Sequence, residues 1–215
     1  MIDYENASVK AYETLVQYGI KKTPVSPLPI LQNMENVIVV SYEEIETLSG
    51  LNRSDLSEMF GKCKDAVSSI HITNGKPIYI VAYNGLLPFN MLQCALAREM
   101  GHIVLGHKES TPDNEAEARC YAQHLLCPRP LIHTIQVISM RISEDLIGNL
   151  TGIHQQWLVR MRRTPGAHVP ANLNRFVRNQ FMPFILNFYE YYRDVMPQDG
   201  SALVDFGTYM DNYEE

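Results

Sequence analysis

Val9, Tyr12, Leu15, Val16 and Ile20 recur at helical spacing and predict a first helix from about Asn6 to Tyr18. The three prolines of KKTPVSPLP (residues 21–29) end it. NVIVVSY (36–42) is β-branched and reads as a strand. Two short helices follow, SYEEIETLSG (41–50) and NRSDLSEMFGK (52–62), each opened by a serine or asparagine in capping position. AVSSIHI (66–72) and KPIYIVAYN (76–84) read as two more strands, and the Asn74-Gly75 pair between them favours a tight hairpin turn. After Pro88 the pattern is helix and loop: roughly 88–107, 113–127, 129–139, 143–150, 154–163 and 172–195. A small sheet followed by a run of helices predicts an α+β fold.

Composition sets outer limits on this picture. With 215 residues, 46% of them hydrophobic and 20% charged, the chain can bury a full core. The first twenty residues carry acidic side chains and no uninterrupted apolar run, so neither a leader nor a membrane span is expected, and the expected location is the cytoplasm. Cys63, Cys94, Cys120 and Cys127 show no CxxC spacing and fall in segments patterned as buried, which fits reduced thiols rather than disulfides. A formal net charge of −6 gives no general attraction to nucleic acid or to anionic membranes.

The chemistry concentrates in ALAREMGHIVLGH (95–107). Two histidines four positions apart on a helix lie only about 40° apart around its axis, so both can reach one metal. The glutamate after the first then faces the metal-bound water as general base. Here Glu99 and His102 occupy the second and fifth places of that pattern, and Arg98 occupies the first. A guanidinium has donors and no usable lone pair, so Arg98 cannot ligate zinc.

From HITNGKPIYIVAYN through LQCALAREMGHIVLGH to NEAEARCYAQHLLCP, the chain resembles the ImmA/IrrE family of zincin-like metallopeptidases. That family's pattern is a hairpin entering a helix of the form FTLAHELGHxxLxH, then a second helix of the form EANxFAxxLLMP. Arg98 stands at the first-ligand position, Glu99 at the general base, His102 at the second ligand and His107 at the trailing histidine. Glu117-Ala118, Tyr121-Ala122 and Leu125-Leu126-Cys127-Pro128 match the second helix, with Arg119 and Cys127 departing from the usual asparagine and methionine. The resemblance covers roughly 66–163. It implies a zincin-like domain over residues 1–140, zinc as cofactor, and Glu117 as third ligand with Glu115 in reserve. It also implies a regulatory protein that cleaves or binds a repressor-type transcription factor. Glu117 has a physical case too, since it opens a helix whose Ala118, Tyr121, Ala122 and Leu125 form a buried stripe, and a buried carboxylate needs a cation. Against it, Glu115 and Glu117 both suit the positive end of a helix dipole.

Three roles for Arg98 stay open. Its guanidinium can take the place of the metal by pairing with Glu117 and with Glu99, which would leave a noncatalytic binding protein without metal. His124, seven positions after Glu117, can complete a His102, Glu117, His124 ligand set. Arg98 can also point away while Glu99, His102 and Glu117 hold zinc or manganese, at the cost of the general base. On a continuous helix His107 lies about 140° from His102 and is the poorer ligand.

Residues 141–215 form a helical C-terminal region. SEDLIGNLTGIHQQWLVRMRRTP (143–165) has the spacing of a helix-turn-helix: Ser143 as cap, Gly152 at the turn, Ile147, Thr151, Ile153, Leu158 and Met161 as packing positions. Arg160, Arg162 and Arg163 would suit DNA phosphates, but a structural annex accounts for the pair equally well. The last helix carries Phe176, Phe181, Phe184, Phe188, Tyr191 and Tyr192 for the core or for a dimer or substrate surface, and Pro183 is expected to kink or split it.

Overall fold

The computed structural model describes residues 1–60, 65–138, 144–153 and 168–195. Helix α1 (Tyr4–Gln17) opens on Asp3, whose side chain accepts from the Asn6 amide. The proline-rich stretch after it is more than a break. Pro27, with its φ already helical and no amide to satisfy, starts a one-and-a-half-turn helix α2 (Pro27–Gln32) that buries Ile30 and Leu31. Strand β1 (Val37–Ser41) runs straight into α3 (Tyr42–Ser49), where Ser41 and Glu44 form a reciprocal capping box and Gly50 closes the helix with φ +71°. Asn52 caps α4 (Arg53–Phe60) by accepting from the amides of Ser54 and Asp55.

Strands β2 (Ala66–Thr73) and β3 (Lys76–Tyr83) form the expected hairpin. Asn74 and Gly75 both adopt positive φ, 52° and 75°, the geometry of the two-residue turn their pairing suggests. The sheet order is β1-β3-β2, with β1 parallel and β2 antiparallel to the central β3. Alternation along β3 sends Val81 into the main core and Ala82 into a smaller cluster with Tyr42 and Leu56 beneath α3 and α4. Among the described residues no strand pairs with the outer side of β2.

Helices α5 (Phe89–Val104) and α6 (Pro112–Leu126) pack against each other, and α5 lies on the sheet while α6 lies on α1. Then come α7 (Arg129–Ile138), α8 (Glu144–Thr151) and α9 (Ala171–Val195). The C-terminal helix shares the main core: Val177, Phe181 and Ile185 are buried with Leu15, Tyr121 and Leu131. Gln180 adds a polar clasp, its Nε2 donating to the carbonyls of Leu15 at 2.8 Å and Ile20 at 2.6 Å. Pro183 does not split α9. The carbonyl left without its partner belongs to Asn179, which is exposed and can bond to water. Phe176 stays exposed, so the aromatics of this helix are not all core. The side chains of Tyr191 and Tyr192 and the second helix of the anticipated helix-turn-helix, with its three arginines, lie outside the described residues. Ile147, Thr151 and Ile153 are buried, and Gly152, at φ +67°, lies against Pro24 and Phe89. Cys94, Cys120 and Cys127 are buried thiols outside any disulfide, and no described helix is long and apolar enough to cross a membrane.

Candidate functional site

A cavity of about 290 Å³ opens between the β2 edge, α5 and the start of α6, lined among others by Ser68, Arg98, Glu99, His102, His107 and Glu115. Glu99 and His102 are both buried, three residues apart on one face of α5. The Glu99 carboxylate is engaged on both sides. Arg98 donates to its Oε1 from Nη2 at 2.9 Å and from Nε at 3.2 Å, and the Ser68 hydroxyl donates to Oε2 at 2.7 Å. Arg98 Nη2 also reaches the Ala66 carbonyl at 3.3 Å, tying the helix to the strand edge. Of the two carboxylates that the first of the three roles gave it, Arg98 therefore pairs with Glu99 and not with Glu117, which is held by the Asp3 amide and His107.

The structure sends the two carboxylates of α6 to different places. Two residues apart on a helix is about 200° of rotation, so Glu115 and Glu117 face opposite ways. Glu115 shares a face with Ala118, which meets α5, and its Oε1 stands 3.5 Å from His102 Nε2. Glu117 shares a face with Cys120, Tyr121 and His124, which meets α1. Its Oε1 accepts the Asp3 amide at 2.7 Å, and its Oε2 lies 3.0 Å from His107 Nε2. The apolar stripe that argued for Glu117 covers two buried faces rather than one. The reserve candidate is the one at the cavity.

His107 is closer to the site than the helical wheel allows, because the helix ends before it. The Gly106 amide bonds to the Ile103 carbonyl and the His107 amide to the His102 carbonyl, with Gly106 at φ +71°: a Schellman closure. This folds the His107 ring edge-on to that of His102, with Nδ1 to Nδ1 at 3.0 Å and centroids 5.1 Å apart. A chain of contacts thus runs from Glu115 through His102 and His107 to Glu117. The glycine at 106 was the sequence signal for it.

His124 does not join this group. Buried on the α1 side, its Nδ1 donates to the Cys120 carbonyl at 3.0 Å, and both ring nitrogens lie 3.4 Å from the Ser8 hydroxyl. Burial holds its pKa down to about 4, against a small opposing effect of the bond to Cys120. The second proposed ligand set is therefore not assembled. Burial also lowers the His102 pKa, opposed by the carboxylates of Glu99 and Glu115. For Glu115, burial works upward, but the Ser110 hydroxyl at 2.9 Å and the charges of Arg98, His102 and Arg119 together hold it below the usual range.

A catalytic zinc needs three protein ligands around an open position. Here His102 and Glu115 converge, the first-ligand position presents a cation, and Glu117 is held at the α1 side. Glu99, the remaining carboxylate, is bound by Arg98 and Ser68. Among the described residues no three His, Cys, Asp or Glu side chains are grouped to hold a metal. The donor set present does not fit the zinc that the sequence pattern implies. Compared with protein-family models, curated proteins and solved structures, the chain matches none.

Proposed function

We propose that this chain is a degenerate relative of the ImmA/IrrE peptidases that binds a protein partner, of the repressor-type transcription factor class, without cleaving it. The observation that carries this reading is the bond between Arg98 and Glu99. A base that must take a proton from water is tied to a permanent cation beside it, and the position of the first metal ligand is spent making that tie.

The strand edge supplies a means of holding a partner. Thr73 and Lys76 close the two-residue turn, so Thr73, His71, Ser69 and Val67 direct their backbone groups to β3. Ala66, Ser68, Ile70 and Ile72 direct theirs outward. Arg98 occupies the Ala66 carbonyl, which leaves Ser68 to Ile72 for an added strand. Ile70 and Ile72, 38% and 70% exposed, give that edge an apolar flank beside the cavity.

Metal analysis of the purified protein, with zinc titration of the wild type and of Arg98→His, tests the reading. Wild type should bind no stoichiometric zinc and leave repressor-type proteins uncut, and Arg98→His should gain zinc affinity. Stoichiometric zinc in the wild type, or cleavage abolished by Glu99→Gln, overturns it.

A further inference from the structure

Nothing in the outer edge of β2 resists pairing with another strand. Natural sheets protect such edges with lysine, proline or a bulge. Ala66–Thr73, AVSSIHIT, has no Lys, Arg, Asp, Glu or Pro, and its register with β3 runs without a bulge. Every residue from Ile70 to Pro77 is exposed, so the hairpin tip stands out with both faces open to an approaching chain.

The edge is also complementary to itself. Ser68, Ile70 and Ile72 turn their amides and carbonyls outward, while Arg98 takes the carbonyl of Ala66. Two such edges laid antiparallel about a twofold axis at Ile70 set Ile70 against Ile70 of the second copy, and Ser68 against its Ile72. Each free amide then meets a free carbonyl. A slip of one residue would set outward groups against inward ones. A slip of two would bring Asn74, at φ 52° in the turn, opposite Ser68 and lose pairs. Neither strand carries a charge from Lys, Arg, Asp or Glu, so no such like charges meet across the axis. The two Ile70 side chains come together there. Ile72, 70% exposed in the single chain, comes to lie beside Ser68 of the second copy at the mouth of its cavity, where burial of its apolar surface favours the contact.

We propose that this chain forms a twofold dimer through the β2 edge, joining two three-stranded sheets into one continuous sheet. A contact that uses the same patch on both copies closes on itself and stops at two. The dimer goes beyond the partner-binding reading and bears on its regulation: it covers the strand edge given there to the partner, so partner and second copy compete for it.

The test is sedimentation velocity of the full chain from about 1 µM to about 1 mM, a range in which wild type should pass from monomer to dimer. Ile70→Lys and Ile70→Glu set like charges against each other at the axis and should each weaken the dimer at least about tenfold, and an equal mixture of the two should dimerise again. Ile38→Lys, at an exposed side chain of β1, should leave dimerisation as it is. Recovery in the mixture would show both that the variants are folded and that position 70 meets itself. A wild type that stays monomeric, assembly beyond the dimer, dimerisation unmoved by Ile70→Lys, or a mixture that stays monomeric overturns the proposal. None of these outcomes touches the partner-binding reading, which stands or falls on zinc and cleavage.

Discussion

A methyl group placed on Gly101 would stand 2.9 Å from the Ala118 carbonyl oxygen and 3.1 Å from its Cα. Helices α5 and α6 touch backbone to backbone at this point, one residue before His102 and three after Glu115. The contact sets how far the imidazole of one helix stands from the carboxylate of the other.

Gly101→Ala should therefore destabilise the protein. Alanine improves helix propensity by about 1 kcal/mol, but forcing two packed backbones apart costs up to about 3 kcal/mol, so a net loss of about 1–2 kcal/mol is expected. Urea unfolding measures it. A more stable Gly101→Ala variant would show that the helices can separate freely, and with them the cavity.

Arg98 should contribute to stability through Glu99. Removing one partner of a buried ion pair costs about 3–5 kcal/mol, and because Arg98 is a quarter exposed the expected loss for Arg98→Met is smaller, about 2 kcal/mol. In a Glu99→Gln background the same substitution should cost well under half as much. Equal costs in both backgrounds would mean that the arginine acts through packing or through the Ala66 carbonyl instead.

The sequence carried α1, α3, the hairpin turn and the α+β order because each has a local cause: the apolar period of α1, Ser41 with Glu44, Asn74-Gly75. It also placed Glu99 and His102 together, since their spacing is fixed by the helix they share. The partner side of the site was less legible. Choosing Glu115 over Glu117 requires knowing which face of α6 meets α5 and which meets α1, and both faces are apolar. Bringing His107 to His102 requires seeing that Gly106 ends the helix. Arg98 could be read as a non-ligand from its chemistry alone, but its choice of Glu99 depends on a strand more than thirty residues earlier that supplies Ser68 and the Ala66 carbonyl.

The clasp between α9 and α1 makes a separate prediction. Gln180→Leu keeps the volume but removes the side-chain donor to the Ile20 carbonyl, while the Leu15 carbonyl keeps the Ile20 amide at 2.9 Å, and should cost about 1–2 kcal/mol. Gln180→Glu should cost more, because it turns a carboxylate oxygen toward two carbonyl oxygens. If both variants unfold at the wild-type urea concentration, α9 is held by Val177, Phe181 and Ile185 alone.

The α1–α6 interface should make the protein sensitive to mild acid. His124 sits among Ser8, Tyr12, Cys120 and Arg129, and its pKa is held near 4, well under the ordinary 6.5. Below pH 6.5 the unfolded chain binds a proton that the folded chain does not, so the folded state loses ground as pH falls. The stabilisation is complete above about pH 6.5, declines by up to about 1.4 kcal/mol per pH unit, and levels off near pH 4 after a total of about 3 kcal/mol. His102 and His133 are lowered by burial as well and add to the slope in the same direction. Replacing His124 with leucine should flatten the pH dependence of the urea midpoint between pH 6.5 and 4 without abolishing it. Parallel curves for wild type and variant would mean that His124 takes its proton while folded and that acid acts elsewhere.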